Sequence, residues 1–252
     1  MENKLTQIVF SPAGSTKKVA DSICNSLKAD FDLLDLSKEN KGMTVASDQV
    51  ILAAMPVFGG RIPALAKERL LKLRANGSLA IAIVVYGNRA YDDALLELKD
   101  TLEAIGCKVI AAAAFIGQHS MVNDIAGGRP DARDLKEAER FALLVEEKLN
   151  SLDNSPVTVP GNKAYQNKKA GNGMVPKAGK ACTACGLCAK NCPVSAIPLS
   201  DPRKTEKTCI GCMRCTAICP NHARSLAGPV KMLVGVVLGG AKKNRKEAEF
   251  FI

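Results

Sequence analysis

The segment Cys182-Thr183-Ala184-Cys185-Gly186-Leu187-Cys188-Ala189-Lys190-Asn191-Cys192-Pro193 is matched in pattern by Cys209-Ile210-Gly211-Cys212-Met213-Arg214-Cys215-Thr216-Ala217-Ile218-Cys219-Pro220. Each run places four cysteines with two, two and three residues between them and ends in Cys-Pro. Together the runs fill about forty residues. The chain has 10 cysteines, and its first residues lead straight into a strand-like run rather than a secretory leader. The cysteines therefore read as thiolate ligands in a reducing compartment, with a cytoplasmic location expected, and not as disulfides.

Zinc is the main alternative for C-x2-C pairs, but zinc sites take four ligands in two pairs. Two runs of four, each with a trailing Cys-Pro, match the iron–sulfur pattern instead. The segment resembles the bacterial two-cluster ferredoxins, small α+β domains in which the fourth cysteine of each run ligates the other run's cluster. The resemblance implies that Cys182, Cys185, Cys188 and Cys219 hold one [4Fe–4S] cluster. Cys209, Cys212, Cys215 and Cys192 would hold the other. Gly186 and Gly211 fall between ligands, where the backbone turns tightly, and Ile197 and Ile210 read as apolar cover. Cys24 and Cys107 lie outside the runs and read as ordinary buried residues.

Upstream, apolar runs alternate with helical periodicity. Strands are predicted at Lys4–Phe10, Asp30–Leu36, Gln49–Met55, Ser78–Tyr86 and Lys108–Ile116. Helices are predicted at Lys17–Leu27, Pro63–Arg74, Asp92–Ile105 and Asp131–Leu149. This alternation in about 150 residues predicts an α/β domain, a doubly wound parallel sheet of five strands covered on both faces. Ligands of such sheets bind outside the carboxyl ends of the strands.

Three loops fall at such ends. The first, Ser11-Pro12-Ala13-Gly14-Ser15-Thr16, opens a helix, where backbone N–H groups and hydroxyls suit a single phosphate. It is neither a Walker loop nor a dinucleotide fingerprint. The second is Pro56-Val57-Phe58-Gly59-Gly60, and the third runs from Tyr86 through Gly87-Asn88-Arg89-Ala90-Tyr91. Jointly they describe a phosphate anchor and a slot for a flat ring. The region resembles the flavodoxins, whose phosphate loop reads [ST]-x-T-G-[NS]-T, with Ala13 as the departure. The resemblance implies strand order 2-1-3-4-5 and bound FMN, with Tyr91 stacking on the ring. Flavodoxins are usually acidic in the third loop; Asn88 and Arg89 depart from this, and a cation there would favour an anionic reduced flavin.

The remaining organisation follows from composition. Residues 1–150 form the predicted FMN domain, 151–175 a Pro/Gly/Lys-rich linker, 176–228 the cluster domain and 229–252 an apolar and basic tail. The linker was long enough either to wrap the first domain or to let the second swing. Residues 1–150 carry 19 Lys and Arg against 20 Asp and Glu, whereas residues 151–252 carry 16 against 5. Clusters bring negative charge that offsets this excess. The absence of Trp and an aromatic content of 4% argue against a nucleic-acid stacking platform. No apolar run reaches the roughly 18–20 residues of a membrane span. Pro229 to Gly240 is expected to pack on a domain or a partner.

Both domains together, and the Pro160-Gly161-Asn162…Tyr165 linker, resemble the fused flavodoxin–ferredoxin proteins of anaerobic bacteria and archaea. The resemblance implies an electron-transfer flavoprotein with FMN and two [4Fe–4S] clusters. Its expected partners are other redox proteins (a ferredoxin, a reductase or another oxidoreductase), with neither nucleic acid nor a membrane span. No acid–base residue is needed, and neither His119 nor His222 reads as catalytic. Three alternatives are a flavin-dependent reductase of a small organic substrate, a cluster-based redox sensor binding DNA, and a docking protein whose flavodoxin-like domain has lost FMN.

Overall fold

The computed structural model describes residues 4–38, 42, 44–45, 49–167, 174–242 and 244–252. The linker residues Lys168, Lys169, Gly171 and Gly173, and Lys243 of the tail, lie outside the described residues.

The first 150 residues alternate as predicted. In order they form β1 (Leu5–Val9), α1 (Ser15–Ser26), β2 (Phe31–Asp35), β3 (Val50–Pro56), α2 (Ala64–Leu70), β4 (Leu79–Tyr86), α3 (Ala94–Ala104), β5 (Lys108–Ile116) and α4 (Ala132–Asn150). The small domain adds β6 (Lys177–Ala178), α5 (Leu187–Lys190), α6 (Arg214–Ala217) and β7 (Arg224–Ser225). The tail adds α7 (Gly228–Val237) and β8 (Glu249–Phe251). The large sheet runs β2-β1-β3-β4-β5-β8, its first five strands parallel. The order 2-1-3-4-5 is that of the flavodoxin-like doubly wound fold.

The physical cause is plain in β3, β4 and β5. Ile51–Met55, Ala80–Val84 and Val109–Ala114 are sealed from solvent on both faces, as an all-parallel sheet requires. One face packs Ile8, Phe10, Ala53, Val84 and Ala112 against α2 and α3 residues such as Leu70, Leu95 and Leu98. The other packs Val9, Leu52, Ile83 and Phe115 against α1 and α4 through Val19, Ile23, Phe141 and Val145. Cys24 and Cys107 sit in these cores, where burial pushes both thiols up to about 12.

Two features go beyond the sequence reading. The linker does wrap the first domain: Val157 bonds to Val109, Asn162 donates its N–H to Asp93, and Tyr165 is 2% exposed, its hydroxyl on Asp100. The tail also returns to the sheet. Phe250 and Phe251 pair antiparallel with Ala113 and Ala112, making β8 a sixth strand. Phe250 then packs on Phe115 and Phe141, with Arg140 over its ring. By contrast α7 is anchored mainly by Val234 on Val122 and Ile125, while Met232, Leu233, Val236 and Val237 are exposed. No helix among the described residues is long and apolar enough to cross a membrane.

Candidate redox site

The small domain is held by β6 and β7, paired antiparallel through Lys177–Ser225 and Ala178–Arg224. It encloses two small cavities. One is walled by Cys182, Cys185, Cys188 and Cys219. The other is walled by Cys192, Cys209, Cys212 and Cys215, with Ile197 and Ile210 as apolar cover. Each run thus gives three cysteines to one cage and its fourth to the other. Left-handed backbone at Ala184 and Gly186, and at Gly211 and Met213, curls each run around its cage.

The donor set fits a cluster. Backbone N–H groups already point at the sulfurs: Ala196 to Cys192 at 3.3 Å, Gly211 to Cys209 at 3.4 Å and Ala223 to Cys219 at 3.3 Å. Such donors stabilise sulfur carrying negative charge. Among the described residues, no three His, Cys, Asp or Glu converge on a point as a single ion requires.

The phosphate-type loop stands at the carboxyl end of β1. Ser11 Oγ accepts the Lys17 N–H at 2.9 Å and shapes the turn, and Gly14 precedes α1 at φ 97°, a conformation that favours glycine. Pro12–Thr16 wall a narrow cleft of about 60 Å³ together with Pro56, Val57, Phe58, Tyr86 and Gly87. The cleft shares the wall Ala13, Ser15, Gln118 and Ser120 with a cavity of about 560 Å³ between the two domains. The loop chemistry fits a phosphate, and the narrow cleft opens beside a cavity of about 560 Å³, the few hundred Å³ typical of a cofactor site.

Not every predicted residue reaches the cleft. Gly59, Gly60, Asn88, Arg89 and Tyr91 do not line it. Tyr91 is 8% exposed, lies edge-on to Tyr86, and gives its hydroxyl to Glu249 of the tail at 2.7 Å. Asn88 is likewise occupied, donating to Ala241 and Asn244 and accepting from Lys246. Arg89 pairs with Asp92 and so is turned to its own loop. The tail packs on the third loop, and Tyr91 stands outside the lining of the cleft.

In its place the strand-five loop enters the site. His119 packs so closely on Gly87 that a methyl at that glycine would lie 2.5 Å from its ring. Burial lowers the His119 pKa, and Nδ1 accepts from Met121 and Val122, which leaves the neutral ring its proton on Nε2. Gln118 and Ser120 carried no recognisable motif and were missed.

The small domain docks on this same end of the sheet. Arg69 bridges Leu36 O and Pro193 O, and Arg214 reaches Ser37 Oγ at 3.0 Å. Ile210 packs on the large core, and Cys212 stands in the wall of the cleft itself. Cys185, in the other cage, is exposed.

The tail contact is testable. The Tyr91 phenol is held neutral by burial and by Glu249, so it donates to that carboxylate. Tyr91→Phe is expected to lower stability by about 1 kcal/mol, since Glu249 is solvent-exposed. It should leave flavin content unchanged, as read by urea unfolding and absorbance; loss of flavin would return Tyr91 to the ring site.

The fold and the two cages define an α/β flavodoxin-like protein joined to a 4Fe-4S binding domain. The chain matches the 4Fe-4S binding domain family over residues 202–225, which contain the second cysteine run. Solved structures similar to the first domain include a flavodoxin from the domain Archaea, 16% identical, covering 58% of this chain and 99% of that one at TM-score 0.40. A flavodoxin of Streptococcus pneumonia TIGR4 is 16% identical over 57% of this chain and 99% of that one, at TM-score 0.42. The rubredoxin oxygen:oxidoreductase of the anaerobe Desulfovibrio gigas is 15% identical over 59% of this chain and 36% of that one, at TM-score 0.44. Comparison with curated proteins gives no match.

Proposed function

We propose that this chain passes electrons between FMN at the cleft, two [4Fe–4S] clusters in the small domain, and external redox proteins. The observation that carries this reading is the position of Cys212, a wall of both the cleft and a cysteine cage. When bound, FMN exchanges electrons singly or in pairs and each cluster exchanges one.

The chain's part is to hold and order these centres. Pro12–Thr16 and the first turn of α1 receive the phosphate. Val57, Phe58 and Tyr86 offer apolar surface for a ring, beside Gly87, Gln118 and the neutral His119. Arg69 and Arg214 pin the small domain so that the Cys212 cage abuts the cleft. The Cys182–Cys219 cage then lies outermost, with Cys185 at the surface for a one-electron partner. The order is cleft, Cys212 cage, Cys185 cage, partner.

A second reading is supported by the wide cavity. It is lined by Arg129, His222, Arg224 and Lys231 and, among the described residues, by no Asp or Glu, a setting for a small organic anion reduced at the flavin. Turnover of such an acceptor by the loaded protein would select this reading over a pure carrier.

Anaerobic purification is expected to yield about eight iron and one FMN per chain, by two four-iron clusters. Ser15→Asp places an anion where the phosphate would sit, yet favours the start of α1. It should retain the iron and weaken FMN binding about ten- to a hundredfold through charge repulsion, measured by fluorescence titration. Two zinc ions and no flavin in the parent protein would overturn the reading.

A further inference from the structure

The inner cage, the one nearer the cleft, is walled by Cys192, Cys209, Cys212 and Cys215 and has a single charged side chain in its wall among the described residues, Arg214. Arg214 Nη1 donates to Ser37 Oγ of the first domain at 3.0 Å, and Nε is buried without a partner. A second arginine reaches the same joint from the other side. Arg69, near the end of α2, is 8% exposed. It donates from Nη1 to Leu36 O at 2.9 Å and from Nη2 to Pro193 O at 3.0 Å, and Pro193 itself walls the inner cage. Neither arginine makes an ion pair among the described residues; their acceptors are two carbonyls and a hydroxyl. Asp35 accepts the Ser37 N–H at 2.8 Å and bonds neither of them. Two permanently charged guanidiniums thus meet on the successive residues Leu36 and Ser37. Like charges gathered away from water are strongly disfavoured without a counter-charge.

Four thiolates and a four-iron core carry a net negative charge, so a filled inner cage supplies what the joint lacks. The outer cage has an arginine of its own in its wall, Arg224. What sets the inner cage apart is a second cation furnished by the other domain. We propose, resting on the cluster reading above, that Arg69 and Arg214 are positioning cations for the inner cluster, one from each domain, and that together they raise its potential. A cation beside a cluster favours the more negative, reduced state. Arg69 acts across the joint, so the first domain itself sets how readily the cluster next to it accepts an electron.

The test uses the full chain, loaded anaerobically, in the parent, Arg69→Gln and Arg69→Lys. Arg69 belongs to the first domain, so these substitutions leave every residue of the small domain in place. About eight iron per chain in the parent checks the cluster reading separately. EPR-monitored redox titration then gives both potentials, and Cys212→Ala, which keeps only the outer cage intact, identifies the outer one. Arg69→Gln is expected to make the inner cluster about tenfold harder to reduce, a fall of about 59 mV for one electron, with the outer cluster unmoved. Arg69→Lys, which keeps the charge, should restore most of the parent value. A purely structural bolt predicts the opposite sign, because a loosened joint lets water onto the cage, and water too favours the charged, reduced state. An inner potential that is unchanged or rises in iron-replete Arg69→Gln, or that falls as far in Arg69→Lys, overturns the proposal. Should Arg69→Gln fail to load, Arg69→Lys decides alone: an inner potential held at the parent value supports the proposal, and a shift equivalent to tenfold or more overturns it.

Discussion

Cys212→Ala is expected to halve the bound iron, from about eight to about four atoms per chain, while FMN stays bound. It should also slow reduction of the flavin by an external one-electron donor a hundredfold or more. The reasoning is geometric. Cys212 is 8% exposed and is the cage residue that also walls the cleft. Removing it opens the inner cage and leaves Cys182, Cys185, Cys188 and Cys219 intact around the outer one. The surviving cluster is then the far one, and a relay with its middle member removed must cross the gap in a single step. Cys24→Ala is the control, because that thiol is sealed under α1 against the sheet. Iron analysis and stopped-flow absorbance read both outcomes. A Cys212→Ala protein that keeps eight iron, or reduces its flavin at the parent rate, would refute the relay order.

The second large effect concerns the joint between linker and first domain. Glu97 is 1% exposed. Its carboxylate accepts from Arg61 Nε at 2.6 Å, the second Arg61 nitrogen at 2.5 Å, Lys67 Nζ at 3.0 Å and the Ile62 N–H at 3.2 Å. Arg61 in turn bonds Tyr165 O and lies 4.7 Å from the centre of the Tyr165 ring. Glu97→Gln leaves Arg61 buried without its countercharge, a change that typically costs about 3–5 kcal/mol. Burial favours the neutral acid at Glu97, but Arg61 and Lys67 outweigh it and hold the carboxyl below its ordinary range. The group therefore contributes stability that is present above the ordinary carboxyl pKa and is lost as pH falls through the lowered folded value. The gap between parent and Glu97→Gln should accordingly narrow in acid. Urea unfolding at neutral and acidic pH measures it. A loss under 1 kcal/mol, or a gap that widens in acid, would show that this pair does not hold the linker.

The parts of this molecule that were legible beforehand are those whose signal is local. The cysteine runs were readable because they repeat the spacing of the bacterial two-cluster ferredoxins, a resemblance that implies the crossing of the fourth cysteine. The buried strands announce themselves as continuous apolar runs, of which Val50–Met55 and Leu79–Val85 are the clearest. The Ser11–Thr16 loop was readable because it sits between a strand and a helix. Tyr91 was ambiguous in the sequence, because an aromatic in the third loop is equally suited to a ring slot and to a core. The choice was made by Glu249, 158 residues away.

The tail shows the same limit. Glu249-Phe250-Phe251 has the pattern of any apolar terminus, and nothing in it names Ala112 to Ala114 as its partners. Strand pairing depends on which edge is left open, and the small alanine side chains of β5 leave the room that Phe250 fills.

Periodicity and turn chemistry along the chain were thus sufficient to specify a doubly wound sheet, because its strands and helices depend on residues close in sequence. The tertiary structure alone decided that the Cys212 cage, rather than the Cys185 cage, faces the cleft, and that Tyr91 bonds Glu249 of the tail. Those outcomes rest on contacts across a linker of about twenty-five residues, such as Arg69 with Pro193 and Arg214 with Ser37. A tether of that length permits many arrangements, and only the packing of one surface on another selects between them.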